Sequence, residues 1–301
     1  MRIGIIGIIN HDTISMANGE QLEDLGGILY NTTVLADLIE DSSSLYPISL
    51  IGKDCYDAML TILETRPVVE TSGVALCPKG TSRNHIRYDT SMEKIERLTN
   101  HVGPITFKQI EPYLDLDALL VNFIVGDDIS LKTMRTIRKQ ATGLLYLDVH
   151  NLCLGINEKG LRLPRAPENW KTWMEMFDVV QMNEVEARLL AGQNLEIIDE
   201  YVAFGETILP LGPSVFIVTR GAHGSVAVYQ KDGRVRSIVT PPETVSKMVD
   251  TTGCGDAFAA GFLIGYLNTT DTASAILLAS KVATLNCSTA GMPTAGQFRN
   301  I

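Results

Sequence analysis

Two glycines around a small residue, Gly253-Cys254-Gly255, stand directly before a helical pattern that opens with Asp256-Ala257-Phe258. Glycine lets the backbone curl, so that consecutive N–H groups point into one space. At a helix start those groups lack intrahelical acceptors and carry the positive end of the peptide dipoles. Such a turn holds a phosphate or an oxyanion. Asp256, a carboxylate at its rim, is placed to accept the proton of a hydroxyl that attacks phosphorus, and the helix start is expected to keep it ionised. That makes a weak base, but phosphoryl transfer through a loose transition state asks for positioning more than basicity. The competing reading is a tight turn with Asp256 as a helix cap. Cys254 is one of five cysteines, with Cys55, Cys77, Cys153 and Cys287. An odd count without a C-x-x-C pair suggests neither a disulfide framework nor a zinc site.

The elements that must position this turn read as alternating strands and helices. Residues 3–9, 118–124, 144–149, 179–182 and 215–219 are apolar runs of the kind buried on both faces of a sheet. Helical patterns lie over 28–40, 55–64, 131–140, 184–191, 197–211, 257–266 and 272–286. The order predicts a mostly parallel sheet covered on both sides. Residues 68–77 and 84–89 break the rhythm: two extended runs flank the turn Pro78-Lys79-Gly80-Thr81, with no helix between them. They are expected to pair as a hairpin off the main sheet, a small lid formed mainly by 67–90, with 11–22 as a candidate addition.

The chain has 301 residues, with 25 Lys and Arg against 35 Asp and Glu, a net charge of −10. No basic run is present, which argues against a nucleic-acid groove, since that affinity comes mostly from neutralising phosphates. A single bound nucleotide needs only local backbone amides. The apolar start, residues 1–9, meets Asn10-His11-Asp12 without a cleavage-type sequence and reads as a first strand, not a signal peptide. No stretch approaches the ~20 apolar residues of a membrane span. The cytoplasm is the expected location, without nucleic-acid or membrane partners.

The segment Asp250-Thr251-Thr252-Gly253-Cys254-Gly255-Asp256-Ala257-Phe258-Ala259-Ala260-Gly261 resembles the signature D-T-x-G-A-G-D-x-F-x-x-G of the PfkB (ribokinase-like) carbohydrate kinase family. It departs only at Cys254, where the family usually has Ala. The resemblance implies Asp256 as catalytic base, an anion hole from Gly253, Cys254, Gly255 and Asp256, and a monovalent cation such as K⁺ held by Asp250 and the Thr252 carbonyl. Other landmarks follow in order. Gly26-Gly27-Ile28-Leu29-Tyr30-Asn31 matches G-G-x-x-x-N, and Asn10 and Asp12 resemble the polar end of the family's first strand, which implies substrate hydroxyls bound by Asn10, Asp12, Gly26, Gly27 and Asn31. An ionised Asp accepts two hydrogen bonds from neighbouring hydroxyls, a way of selecting a polyol.

Asn183-Glu184-Val185-Glu186 matches N-x-x-E, which implies that Glu186 orders the water shell of Mg²⁺ and that Asn183 lies near the phosphates. The same spacing is a helix capping box, and both readings hold together. Thr219-Arg220-Gly221-Ala222-His223-Gly224 resembles the T-x-G-x-x-G turn along the nucleotide, with Thr219, Gly221 and Gly224 beside ATP and Asn286 near its base. The chain departs from the family at Asp148-Val149-His150-Asn151-Leu152: relatives often carry D-x-N-x-R, and here His150 replaces the Asn and no Arg follows. Arg83 and Arg87 in the lid are candidates for an anionic or heavily hydroxylated substrate, or a solvated charged strand.

The resemblance implies one ribokinase-like domain over 1–301, a three-layer α/β/α fold with a mostly parallel sheet and a small β lid. It implies an ATP- and Mg²⁺-dependent kinase acting on a hydroxyl of a small sugar or polyol. The alternatives are a nucleoside kinase of the same family and a non-catalytic sugar or nucleotide binder on the same fold; the intact Asp256 and glycines favour an enzyme. Gly4-Ile5-Ile6-Gly7 does not make a dinucleotide-binding G-x-G-x-x-G, and no P-loop sequence occurs. Open lid edges offer pairing to a second copy, as in a homodimer.

Overall fold

A computed structural model describes residues 1–15, 20–88, 94–241 and 248–301. Nine strands form the central sheet: β1 (Arg2–Ile6), β4 (Ser44–Ile51), β5 (Val74–Leu76), β8 (Ala118–Asn122), β9 (Leu144–Asp148), β12 (Val179–Asn183), β13 (Val215–Thr219), β14 (Ser225–Lys231) and β15 (Arg234–Thr240). Their order is β15-β14-β13-β12-β9-β8-β1-β4-β5. All pairs from β5 to β13 are parallel, and the last two strands close one edge antiparallel. Every residue of β8 is buried. Helices therefore cover both faces, and the apolar runs read in the sequence are the consequence. Chemistry gathers where the parallel strands end, at their C-terminal edge.

A second sheet has the order β3-β2-β6-β7, from β2 (Asn10–Ser15), β3 (Gln21–Leu25), β6 (Ser82–Tyr88) and β7 (Lys94–Thr99). β2 pairs β6 in parallel, with Asn10 opposite Ser82 and Asp12 opposite Asn84. This corrects the expected hairpin. The run at 68–77 does not pair with 84–89; its Val74–Leu76 portion extends the central sheet beside β4. β6 instead finds its partners in β2, from the start of the chain, and in the charged strand Lys94–Thr99. Parts of the expected lid spans, residues 16–19 and 89–90, lie outside the described residues. A third, two-stranded sheet of β10 (Leu154–Ile156) and β11 (Arg162–Pro164) joins the second through the bridge Arg97–Leu161.

The exits of β1 and β8 are fastened to one another by a side chain. Asp128 is fully buried; its Oδ1 accepts from the amides of Ile8 (2.9 Å) and Ile124 (3.0 Å), and its Oδ2 from those of Val125 (2.9 Å) and Gly126 (3.0 Å). Burial pushes this carboxyl upward, against the four amides that favour its ionised form. Asp128→Ala should strand four buried donors and lower unfolding free energy by at least ~3 kcal/mol. Urea denaturation at neutral pH measures it, and a near-unchanged midpoint would refute the fastening role.

Candidate active site

The helix Cys254–Thr269 starts at Gly253, whose φ is 72°. A Cβ there would strike the Tyr30 ring, so both conformation and space demand glycine. Gly255 is exposed and a Cβ there would meet nothing within 4 Å, so this part of the turn is open to free space. The strand of chain before the turn is pinned. The carboxylate of Asp250 accepts from the amides of Thr252 (2.8 Å) and Gly291 (3.2 Å), and Asn286 Nδ2 donates to the Thr252 carbonyl (2.9 Å). Asn286 Oδ1 is buried and unpartnered in the absence of ligand. Cys254 and Cys287 form a disulfide with Cα atoms 6.1 Å apart, a separation such a bond accepts. The expectation of no disulfide is thereby corrected. At a sequence separation of 33, only the fold brings the two cysteines together; Cys55, Cys77 and Cys153 are free.

Asp256 lies at the first turn of this helix with its carboxylate inside the site. Asn122 Nδ2 donates to its Oδ1 at 2.6 Å, and Asn31 Nδ2 donates to its backbone carbonyl at 3.2 Å. Loss of water around the carboxyl outweighs these hydrogen bonds and pushes its pKa up to about 7. The helix start was expected to hold it in the ordinary acid range; desolvation wins, and a stronger base results. Two more carboxyls crowd the same edge. Asp148 at the end of β9 is raised well above its ordinary value by burial and by the charges of Asp256 and Glu186. Glu186 is raised to about 8 by burial. Gln181 links the group, its Nε2 donating to Asp148 Oδ2 (3.2 Å) and to the Gly255 carbonyl (3.0 Å).

Glu186 and Asn183 face one another as a capping box. Asn183 Oδ1 accepts from the amides of Val185 and Glu186, while the Glu186 carboxylate accepts from Asn183 N (2.9 Å) and Nδ2 (2.6 Å). Thr219 is in register beside Asn183 on the next strand. Beyond it Gly221 (φ 51°) and Gly224 (φ 79°) shape an exposed turn. Arg220 leaves that turn to stack over the Tyr201 ring at 5.0 Å, and His223 is exposed. Among the described residues no group of three His, Cys, Asp or Glu side chains is spaced to hold a metal directly. The buried carboxyl of Glu186, with Asn183 beside it, would nevertheless suit the water shell of a divalent cation carried by phosphates.

Across the site the second sheet brings its own polar face. Asn10 Nδ2 donates to Asp12 Oδ1 (2.7 Å), and Asn10 Oδ1 is buried without a partner. A Cβ at Gly26 would collide with Asp12 Oδ2, and one at Gly27, with φ 66°, would collide with the Ile8 carbonyl. These four sequence-identified residues therefore converge. Asn31 is fully buried and spends its amide otherwise: it accepts from Asn122 Nδ2 (2.8 Å) and holds Asp256. In β6 the alternation puts Ser82 and Asn84 inward and Arg83, His85 and Arg87 on the other face. Arg83 pairs with Asp54 at 2.9 Å, and Arg87 is exposed. The buried cation on the inner side is Arg162, which donates to the Ile124 carbonyl (2.8 Å) and lies 4.0 Å from Glu96.

Asn122, Gln181 and Arg162 escaped sequence reading. The signal for the first two was a carboxamide within an otherwise apolar strand at the sheet's C-terminal edge; nothing local marks Arg162.

Residues 131–295 match the pfkB family carbohydrate kinase. The chain is 26% identical over 267 residues to a cytidine kinase of Thermococcus kodakarensis, a match that spans 87% of each protein. Among solved structures it is similar to a pyrophosphate-dependent kinase in the ribokinase family, with a TM-score of 0.80 and 18% identity over the whole of both chains. It is also similar to ribokinase from Thermotoga maritima, with a TM-score of 0.75 and 20% identity over 98% of this chain and 97% of the other. These two likenesses concern the fold.

The raised carboxyls have a consequence for stability. A carboxyl whose folded pKa is about 7 against an ordinary 3.8 binds its proton more tightly when folded. Its favourable contribution is complete below the lower value and disappears as pH rises through the upper one. Asp256→Asn, which cannot ionise, should therefore melt at least ~2 °C above the unmodified protein at pH 8, with the gap closing near pH 4. Calorimetry of the ligand-free protein tests this, and an equal or lower midpoint at pH 8 would contradict the burial argument.

Proposed function

We propose that this chain, which belongs to the pfkB family of carbohydrate kinases, transfers the γ-phosphoryl of ATP to a hydroxyl of a small sugar or polyol. The observation that carries the reading is the meeting of three things at one sheet edge: a helix-start turn open at Gly255, a carboxyl at about 7 in Asp256, and the polar pair Asn10 and Asp12 opposite. The acceptor lies between the central sheet's edge and the second sheet. Asn10, Asp12 and the close-approaching backbone of Gly26 and Gly27 bind its hydroxyls, while Asn31 holds the base.

Asp256 takes the proton of the attacking hydroxyl. The amides of Gly253 to Asp256 stabilise negative charge on the phosphoryl in transit, where fixed donors in a dry site act most strongly. The nucleotide runs along Thr219–Gly224, with Asn286 Oδ1 available near the turn. Mg²⁺ bound with the nucleotide supplies neutralisation of phosphate charge, and Glu186 with Asn183 would face its water shell. Asp250 and the Thr252 carbonyl would hold a monovalent cation.

A second reading, a nucleoside acceptor, is favoured by the near full-length similarity to a cytidine kinase. The catalytic half is the same, and only the acceptor differs. ADP release measured over a panel of sugars, inositols and nucleosides separates them: turnover confined to sugars or inositols supports the first reading, turnover confined to cytidine or other nucleosides the second.

Two measurements test the chemistry. Asp256→Asn should lower kcat by roughly 10³-fold or more while ATP affinity stays within a few-fold, and near-normal turnover would sink the assignment. With the base at about 7, kcat should fall about tenfold per pH unit below neutrality and level off above it. A flat profile through neutrality would show that another group takes the proton.

A further inference from the structure

Asn122 ends β8 wholly buried, and every one of its polar hydrogens is committed. Nδ2 donates to Asp256 Oδ1 (2.6 Å) and to Asn31 Oδ1 (2.8 Å), and Oδ1 is 3.1 Å from His150 Nδ1. With both amide hydrogens pointing at acceptors, the contact to His150 requires the imidazole to donate from Nδ1. The reverse amide orientation would set oxygen against a carboxylate. His150 itself has φ 36°, a left-handed conformation unusual for a side-chain-bearing residue. It follows directly on the strand that carries Asp148, at the position where the family motif has Asn.

We propose that Asn122, oriented by His150, is the positioning residue for the Asp256 carboxylate, aiming it at the acceptor hydroxyl. This goes beyond the family's motifs, none of which includes either residue's contact, and it rests on Asp256 being the base. The carboxyl of Asp148 from β9, which also feels the charge of Glu186, opposes the charge of Asp256, while Tyr30 from the helix Leu29–Leu38 stays a neutral phenol because burial and the nearby carboxylates hold its proton. Asn122 is therefore the group that favours the carboxylate form most directly.

The test is kcat as a function of pH, with ATP KM measured alongside, in Asn122→Leu and His150→Ala. In Asn122→Leu the acid limb should move upward by about one pH unit or more, giving at least about fivefold lower kcat at neutrality that recovers in alkali, with ATP KM unchanged. His150→Ala should shift the limb in the same direction by less. A limb left in place, or a loss independent of pH, overturns the proposal. Circular dichroism melts report folding, and if Asn122→Leu does not fold, the limb of the partly exposed His150→Ala decides. The premise fails separately: an active Asp256→Asn removes the base itself, whereas an inactive Asp256→Asn with unshifted limbs in the other variants removes only the role of Asn122.

Discussion

Four backbone amides converge on the buried carboxylate of Asp128, and the positions of the site's two halves descend from that contact. One amide belongs to Ile8, just before the chain reaches Asn10 and Asp12; the other three follow Asn122 at the end of β8. A carboxylate satisfied by amides from two chain segments holds their separation more rigidly than apolar packing does, because each donor left unmatched would be costly in the interior. The pair Asn10 and Asp12 and the residue that touches Asp256 thus share one anchor, although neither touches it. Ile28, whose amide donates to the Ile8 carbonyl at 3.3 Å, ties the Gly26-Gly27 turn to the same frame.

Around this frame the chain accepts an electrostatic cost. Asp148, Glu186 and Asp256 are gathered where water is scarce, and each carboxyl is raised by burial. A protein selected only for stability would replace such a cluster with apolar residues. What the cluster would offer instead, on the proposed reading, is a base near neutral pH and an acidic edge suited to cations that accompany phosphates. Gln181 and the amides of Asn183 give Asp148 and Glu186 hydrogen-bond donors that offset part of this cost.

The parts legible in the sequence are those whose constraint is local. The turn at Gly253 to Asp256 could be read because a left-handed residue, an open Cβ position and a helix start all act within four residues. The box Asn183 to Glu186 and the helix ranges 131–140 and 184–191 were legible for the same reason, since hydrogen bonding and periodicity are short-range. Asn122 and Gln181 were hidden in runs whose apolar neighbours dominated the pattern. The second sheet was misassigned at 68–77 because β-pairing is a property of two segments, and an extended run does not carry the name of its partner. The same is true of Cys254 and Cys287. The ionisation of Asp256 was misjudged because a helix start is visible in sequence, whereas the depth of burial is not.

The parallel pairing of β2 with β6 bears on how the molecule comes to exist. β2 leaves β1 after a short connection, yet its parallel partner β6 arrives only after two helices and two further strands of the central sheet have been laid down. Closing that long loop is entropically unfavourable until β1, β4 and β5 have docked. The face that carries Asn10 and Asp12 is thus completed on a core already formed. During synthesis, the edge of β2 that β6 will cover must wait unpaired. The charged residues of β6 and β7 would then serve the nascent chain by discouraging partners other than the correct one.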